Sequence, residues 1–78
     1  MFDVIVPKVG MSVTEVDVTK WMVKKGDTVK AGDELVEVTM EKASVVLNAD
    51  VAGVIEEILF NEEDTVKVGD VICRIKTD

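Results

Sequence analysis

The chain has 78 residues and a formal net charge of −7, with 47% hydrophobic and 32% charged residues. This length suits one small domain, and the composition fits a folded domain with a hydrophobic core. The acidic balance argues against nucleic acid and anionic membranes as partners. A single cysteine allows no internal disulfide, so we expect a reducing compartment and a cytoplasmic protein.

The residue types that are absent restrict the possible chemistry. The sequence contains no histidine and no tyrosine, and its one cysteine is Cys73. A Ser-His-Asp triad, a Cys-His pair and a thiolate or imidazole metal site are therefore excluded. The glycines are scattered among turn signals and form no phosphate-binding loop. We expect a module that neither catalyses a reaction by itself nor binds a metal.

Short strands are predicted along the whole chain. Apolar residues recur at every second position in three places: Val4 and Val6; Val36 and Val38; Val71, Cys73 and Ile75. Turn signals separate these runs at residues 7–10, 24–27, 31–33, 52–53, 61–64 and 69–70. No segment keeps a helical period. The pattern predicts an all-β domain, either a sandwich or a barrel.

An internal repeat predicts how the strands are arranged. The segment GDTVKAGDELVEV, residues 26–38, aligns with EDTVKVGDVICRI, residues 63–75, and WMV at 21–23 aligns with ILF at 58–60. Each half is too short to bury its own apolar face, so the halves should pack about a pseudo-two-fold axis. This symmetry predicts that the chain ends lie at one tip of the domain and the turn containing Lys42 at the opposite tip.

The segment VEVTMEKASVV, residues 36–46, is the candidate functional stretch. Apolar and polar residues alternate on both sides of Glu41-Lys42, which predicts a β-hairpin with these two residues in its turn. An exposed lysine at a hairpin turn is commonly only solvated. The turn alone therefore leaves open whether Lys42 has a function.

The sequence resembles the lipoyl domains of 2-oxo-acid dehydrogenase complexes, which belong to the biotinyl/lipoyl carrier family. The similarity spans nearly the whole chain, through VPKVGMSVTE at 6–15, KWMVKKGDTVKAGDELVEV at 20–38 and VAGVIEEILFNEEDTVKVGDVI at 51–72. The family's Asp-Lys-Ala turn is here Glu41-Lys42-Ala43. The resemblance implies that residues 1–78 form a single carrier domain, a flattened barrel-sandwich hybrid of two antiparallel sheets with pseudo-two-fold symmetry.

The resemblance also implies a function. Lys42 would carry lipoate as an amide, with Glu41 and Ala43 recognised by the lipoate ligase or lipoyl transferase. The domain would then shuttle acyl groups and reducing equivalents among the 2-oxo-acid decarboxylase component, the acyltransferase catalytic domain and dihydrolipoyl dehydrogenase. It would be a non-catalytic, monomeric part of a dihydrolipoyl acyltransferase or a related component.

The sequence departs from the family pattern in three places, and the first of them leaves alternatives open. Thr39-Met40-Glu41 replaces the usual Glu-Thr-Asp, and Met40 is closer to the biotinyl branch, in which methionines flank the lysine. A biotinyl carrier domain of a carboxylase or decarboxylase is therefore the alternative, and an unmodified hairpin used for assembly is a third interpretation. Val16 and Glu63 stand where glycine is usual, and we expect Asn61 to adopt any left-handed conformation that the second turn requires.

Two other residues are interpreted as structural. Trp21 lies in an apolar run and is expected to pack in the core with Met22 or Val23. Cys73 has the same strand parity as Val71 and Ile75, which favours a buried small hydrophobic residue over a redox thiol.

Overall fold

A computed structural model describes residues 1–8, 10–40 and 43–77. It contains eight β-strands: β1 (Phe2–Ile5), β2 (Glu15–Trp21), β3 (Thr28–Val29), β4 (Glu34–Met40), β5 (Ala43–Asn48), β6 (Gly53–Ile58), β7 (Thr65–Lys67) and β8 (Val71–Lys76). The all-β prediction is confirmed. Across the described ranges, no helix is long and apolar enough to cross a membrane.

The strands form two four-stranded sheets, each of which is antiparallel throughout. One sheet has the order β1-β8-β6-β3 and the other has the order β5-β4-β2-β7. Under the sequence repeat, β4 is equivalent to β8, β2 to β6 and β7 to β3. The remaining strand of each sheet, β5 or β1, then occupies the equivalent outer position. The two sheets therefore have the same order, as the predicted pseudo-two-fold axis requires.

The symmetry extends to the irregularities of the strands. Leu35 and Ile72, which the repeat aligns, are both left without a partner where the register shifts. Each of their carbonyls accepts an equivalent backbone hydrogen bond, from Met22 N at 2.8 Å and from Leu59 N at 3.0 Å. A residue inserted in this way changes which side chains face inward. As a result, Leu35 and its neighbour Val36 are both fully buried.

The core fills the space between the two sheets. Val16 and Val18 of β2 alternate with exposed residues, as expected for a strand with one buried face. Cys73 is fully buried on β8, which confirms its predicted place in the core. Burial raises the pKa of its thiol to about 11, so the thiol stays protonated at neutral pH.

Four turns of one kind connect the short strands. In each turn, an aspartate carboxylate accepts a hydrogen bond from the backbone N–H three residues earlier, at 2.8–3.2 Å. Their sequences are KKGD at 24–27, KAGD at 30–33, NEED at 61–64 and KVGD at 67–70. The third residue has a positive φ in every turn, 96° at the three glycines and 76° at Glu63. The prediction that Asn61 takes the left-handed conformation is therefore wrong, because position in the turn and not residue propensity decides which residue adopts it.

We expect Glu63→Gly to stabilise the domain by about 0.5–1 kcal/mol. The left-handed conformation costs a residue with a Cβ about 1–2 kcal/mol, and the greater freedom of glycine in the unfolded chain offsets part of the gain. Gly26→Ala is the matched control, since a Cβ at Gly26 would meet no atom within 4 Å and would add only the backbone strain. Chemical denaturation should show changes of opposite sign, and a destabilised Glu63→Gly variant would contradict this account.

The chain ends come together in the sheet that contains β1. Phe2 pairs with Ile75, which brings the first and last strands side by side. Arg74 on β8 links its two neighbouring strands, with Nε 3.2 Å from Asp3 on β1 and Nη1 2.7 Å from Glu57 on β6. Its hydrogen bond to Glu57 is the main cause that raises the pKa of the guanidinium. All three side chains are exposed enough that these ion pairs add little stability.

Candidate functional site

The hairpin formed by β4 and β5 is the candidate site. The two strands pair in register up to their facing ends, from Glu37 with Val46 to Met40 with Ala43. The chain passes from Met40 to Ala43 through Glu41 and Lys42, the predicted recognition and attachment residues, which lie outside the described residues. Ala43 and Ser44 are exposed on the adjoining strand. The predicted hairpin is therefore confirmed in its strands, while the roles of residues 41–43 remain predictions.

The hairpin is supported by the interior of its sheet. Strand β4 lies between β5 and β2, so it is hydrogen-bonded along both edges. Val38 is fully buried and Met40 packs partly against the core, which fixes the strand close to the turn. The hydroxyl groups of Thr19 on β2 and Thr39 on β4 also hydrogen-bond to each other. Strand β4 of the hairpin is therefore firmly held, and β5, the edge strand of the sheet, is paired to it.

The strand path separates the described end of the hairpin from the chain ends. Strand β5 begins at Ala43 and reaches Asn48 about 17 Å further along, at about 3.3 Å per residue. After four connecting residues β6 begins at Gly53, and the next residue, Val54, pairs with Lys76 near the end of the chain. The chain ends thus lie beyond the far end of β5. This is the arrangement that the repeat predicted.

The longest connection of the domain lies beside the hairpin. Nine residues join β1 to β2, whereas four residues join β5 to β6 at the equivalent position. Residues 12–17 of this region, together with Thr39 and Met40, line a recess of about 270 Å³. Met11 in the same connection is 95% exposed. The recess itself was not predicted from the sequence, because the repeat does not extend into the connection between β1 and β2.

The recess beside the hairpin has an acidic lining. It includes the carboxylates of Glu15 and Asp17, and Asp17 also accepts a hydrogen bond of 2.7 Å from the hydroxyl of Thr65. No lysine or arginine is found among the described residues of this lining. Within residues 1–8, 10–40 and 43–77, no three His, Cys, Asp or Glu side chains are grouped as a metal site would require. The surroundings of the hairpin suit contact with a basic protein surface.

A comparison with protein families decides where the chain belongs. The biotin/lipoyl family model, described as "Biotin-requiring enzyme", matches residues 3–75. The chain belongs to the biotin/lipoyl family. One protein similar to this chain is the dihydrolipoyllysine-residue acetyltransferase component of the pyruvate dehydrogenase complex of Corynebacterium glutamicum. The two are 48% identical over 73 residues. The match covers 94% of this chain but 11% of the relative, so the chain spans about a ninth of that protein's length.

Solved structures support the same placement in the biotin/lipoyl family. The lipoyl domain of the 2-oxoglutarate dehydrogenase complex from Azotobacter vinelandii matches with a TM-score of 0.81 and 30% identity, covering 99% of this chain and 98% of that one. The urea carboxylase of Kluyveromyces lactis matches with a TM-score of 0.74 and 29% identity, covering 83% of this chain and 6% of that one. The resemblance to lipoyl domains and the predicted fold are therefore confirmed.

Proposed function

We propose that this domain is a swinging-arm carrier that holds lipoate as an amide on Lys42. The observation that carries the proposal is the β4–β5 hairpin, whose described strands are paired up to Met40 and Ala43 and held along both edges of β4. A mobile acyl-carrying arm needs a base that is fixed in position and open to large partners. The exposure of Ala43 and Ser44 leaves the adjoining strand accessible to a modifying enzyme.

The proposed partners are enzymes with complementary roles. A lipoate ligase or lipoyl transferase recognises Glu41 and Ala43 and modifies Lys42. The arm then moves among a 2-oxo-acid decarboxylase component, an acyltransferase catalytic domain and dihydrolipoyl dehydrogenase in the cytoplasm. The cofactor and these enzymes supply the chemistry, whereas the domain supplies position and a high local concentration of the arm. The domain itself is non-catalytic and is part of an acyltransferase or related component.

The parent complex is proposed only as a class. The relative from Corynebacterium is named for pyruvate dehydrogenase, whereas the structural neighbour from Azotobacter is named for 2-oxoglutarate dehydrogenase. The substrate class is therefore a 2-oxo acid. The likeness to a carboxylase, together with Met40 two positions before Lys42, keeps biotin as the second candidate for the attached group.

Incubating the chain with a lipoate ligase and with a biotin ligase tests the proposal. We expect the wild-type chain, incubated with lipoate ligase, biotin ligase, both cofactors and ATP, to gain the mass of one lipoyl group. Separate reactions with each ligase give the relative rates, measured by intact-protein mass spectrometry. A faster biotin reaction would support the second candidate, and an unmodified chain in both reactions would favour the hairpin used only for assembly.

A further inference from the structure

A groove separates the outer strands of the two sheets. Strand β1 is the outermost strand of one sheet and β5 is the outermost strand of the other, so each is paired along one edge. Residues 2–5 and 45–48, together with Pro7 and Asp50, line a groove of about 580 Å³ between them. Within the described part of the chain, no backbone hydrogen bond crosses from β1 to β5. The groove is therefore bordered by two open sheet edges.

Hydrogen bonds at the end of β1 show which of its backbone groups face the groove. The backbone N–H of Val6 donates to the carbonyl of Asp70 at 3.0 Å, and the carbonyl of Val6 accepts from Gly69 at 2.8 Å. Successive residues of an antiparallel strand direct their backbone groups to opposite edges. Ile5 and Asp3 therefore direct their N–H and C=O groups to the open edge of β1.

The same argument identifies the groups on the wall formed by β5. The backbone N–H of Ala49 donates to the carbonyl of Asp33, and its carbonyl accepts from Gly32, both at 2.8 Å. Asn48 and Val46 therefore direct their N–H and C=O groups to the open edge. Together with the two residues of β1, they are in the lining of the groove. Both walls thus offer backbone donors and acceptors to an extended chain.

The groove has an apolar lining between these backbone groups. Val4 and Leu47 are buried at its base, and Phe2 and Val45 pack partly against the core. Ile5 is a large apolar side chain that is 51% exposed. A strand added at this place covers the apolar lining with every second side chain, because side chains of a strand alternate between its two faces.

The charges around the groove favour a basic partner. Asp50 is exposed in the lining, and no lysine or arginine is found among the lining residues that the structure describes. Asp3, also in the lining, shares the guanidinium of Arg74 with Glu57, so this cluster keeps one net negative charge. The whole chain has a net charge of −7. A basic segment is therefore attracted to the groove, and an acidic one is repelled.

We propose that this groove binds an extended basic segment of a partner protein as an added β-strand. The segment alternates apolar side chains, which lie on the lining, with lysine or arginine side chains near Asp3 and Asp50. Strand β1 spans about 13 Å at about 3.3 Å per residue, so about four or five residues of the segment take part. A contact this small is well below a standard interface, and we expect a dissociation constant on the order of 0.1–1 mM.

The groove is separate from the candidate functional site. Its lining includes β5 only from Val45 onward, whereas Ala43 and Ser44, which adjoin the turn, are outside it. A segment bound in the groove leaves the hairpin end uncovered, so a partner can hold the domain while the proposed arm stays free. The proposal does not depend on the modification of Lys42.

Titration with a synthetic peptide tests the proposal. The probe is acetyl-KVKVKVK-amide, added to the isotope-labelled wild-type domain at up to about 2 mM, above the expected dissociation constant. We expect the backbone amide NMR signals of the groove-facing residues to shift most, Asp3 and Ile5 on one wall and Val46 and Asn48 on the other. The residues between them should shift less, because their N–H groups point into the sheets. This alternation on one wall or on both would support strand addition.

Two control peptides separate backbone pairing from charge. Acetyl-EVEVEVE-amide keeps the apolar residues and the length but reverses the charge, and it should bind at least about tenfold more weakly. A form of the KVKVKVK peptide with a methyl group on every backbone nitrogen keeps the side chains and the charge but donates no backbone hydrogen bond. It should also bind at least about tenfold more weakly.

Two variants of the domain test the place of binding. Asp50→Lys and Glu56→Lys change the net charge equally, but Asp50 is in the lining whereas Glu56 is exposed on β6 outside it. We expect Asp50→Lys to weaken binding of the KVKVKVK peptide about fivefold, the size of one exposed ion pair, and Glu56→Lys by less than about twofold. Wild-type signals that do not move, that move mainly outside the groove, or that move equally with the methylated peptide would overturn the proposal.

Discussion

Lys42→Arg is expected to abolish attachment of the cofactor. Arginine keeps the positive charge and most of the length of the side chain, but its guanidinium stays protonated and does not form the amide. Intact-protein mass spectrometry after incubation with lipoate ligase should show complete loss of the adduct. The domain should keep its melting temperature, because the backbone pairing of β4 with β2 and β5 holds the hairpin and is unchanged by the substitution.

Two further variants give this prediction its controls. Lys67→Arg makes the same chemical change at an exposed position of β7 and should be modified at the wild-type rate. Glu41→Ala removes a proposed recognition group but leaves the amine, so we expect about a tenfold slower reaction, the size of one lost hydrogen bond to a charged group. An adduct that persists in Lys42→Arg would show that another lysine is the attachment point.

Gly53→Ala is expected to destabilise the domain by about 3 kcal/mol, which corresponds to a fall in melting temperature of more than about 10 °C for a chain of this size. A Cβ at Gly53 would overlap the carbonyl oxygen of Lys76 and would lie 2.7 Å from Cγ2 of Ile75. The Lys76 carbonyl belongs to the backbone and the Ile75 side chain is fully buried, so displacing either one costs stability. The junction between β6 and β8 would have to open.

Gly10→Ala is the matched control for Gly53→Ala. Its Cβ would lie 3.0 Å from Cγ2 of Val13, a half-buried side chain in a loop that can adjust. We expect a change within about 1 kcal/mol, in line with substitutions outside the core. Equal stabilities of the Gly53→Ala and Gly10→Ala variants would show that the contact between Gly53 and the last strand is looser than described.

The repeat made most of the fold predictable. The alignment of residues 26–38 with 63–75 includes both strands and the turns between them. It therefore predicted two equivalent sheets, and it also predicted that the hairpin lies away from the chain ends. It could not show that Leu35 and Val36 are both buried. Two adjacent buried residues contradict strict alternation, and only the register shift at Leu35 explains them. Such shifts depend on the packing of the two sheets and leave no local pattern in the sequence.

Two details of the turns and loops show where residue-level reasoning fell short. Asn61 was chosen for the left-handed conformation because asparagine tolerates it, but the alignment already placed Glu63 over Gly26, and the turn geometry decided the matter. Trp21 was expected in the core; it packs partly against the core and also lines a shallow surface cavity together with Ile58. For the candidate site, the sequence predicted the hairpin strands, and the attachment of lipoate to Lys42 stays a prediction.

The central claim is that this domain carries acyl groups on a lipoyl arm, and acyl loading tests it most directly. The lipoylated wild type is incubated with a 2-oxo-acid decarboxylase component from the same organism and either pyruvate or 2-oxoglutarate, and its intact mass is followed. We predict the gain of one acyl group from one of the two acids, with no gain in Lys42→Arg. A fully lipoylated domain that gains no acyl group from the decarboxylase component of any 2-oxo-acid complex in that organism would contradict the claim.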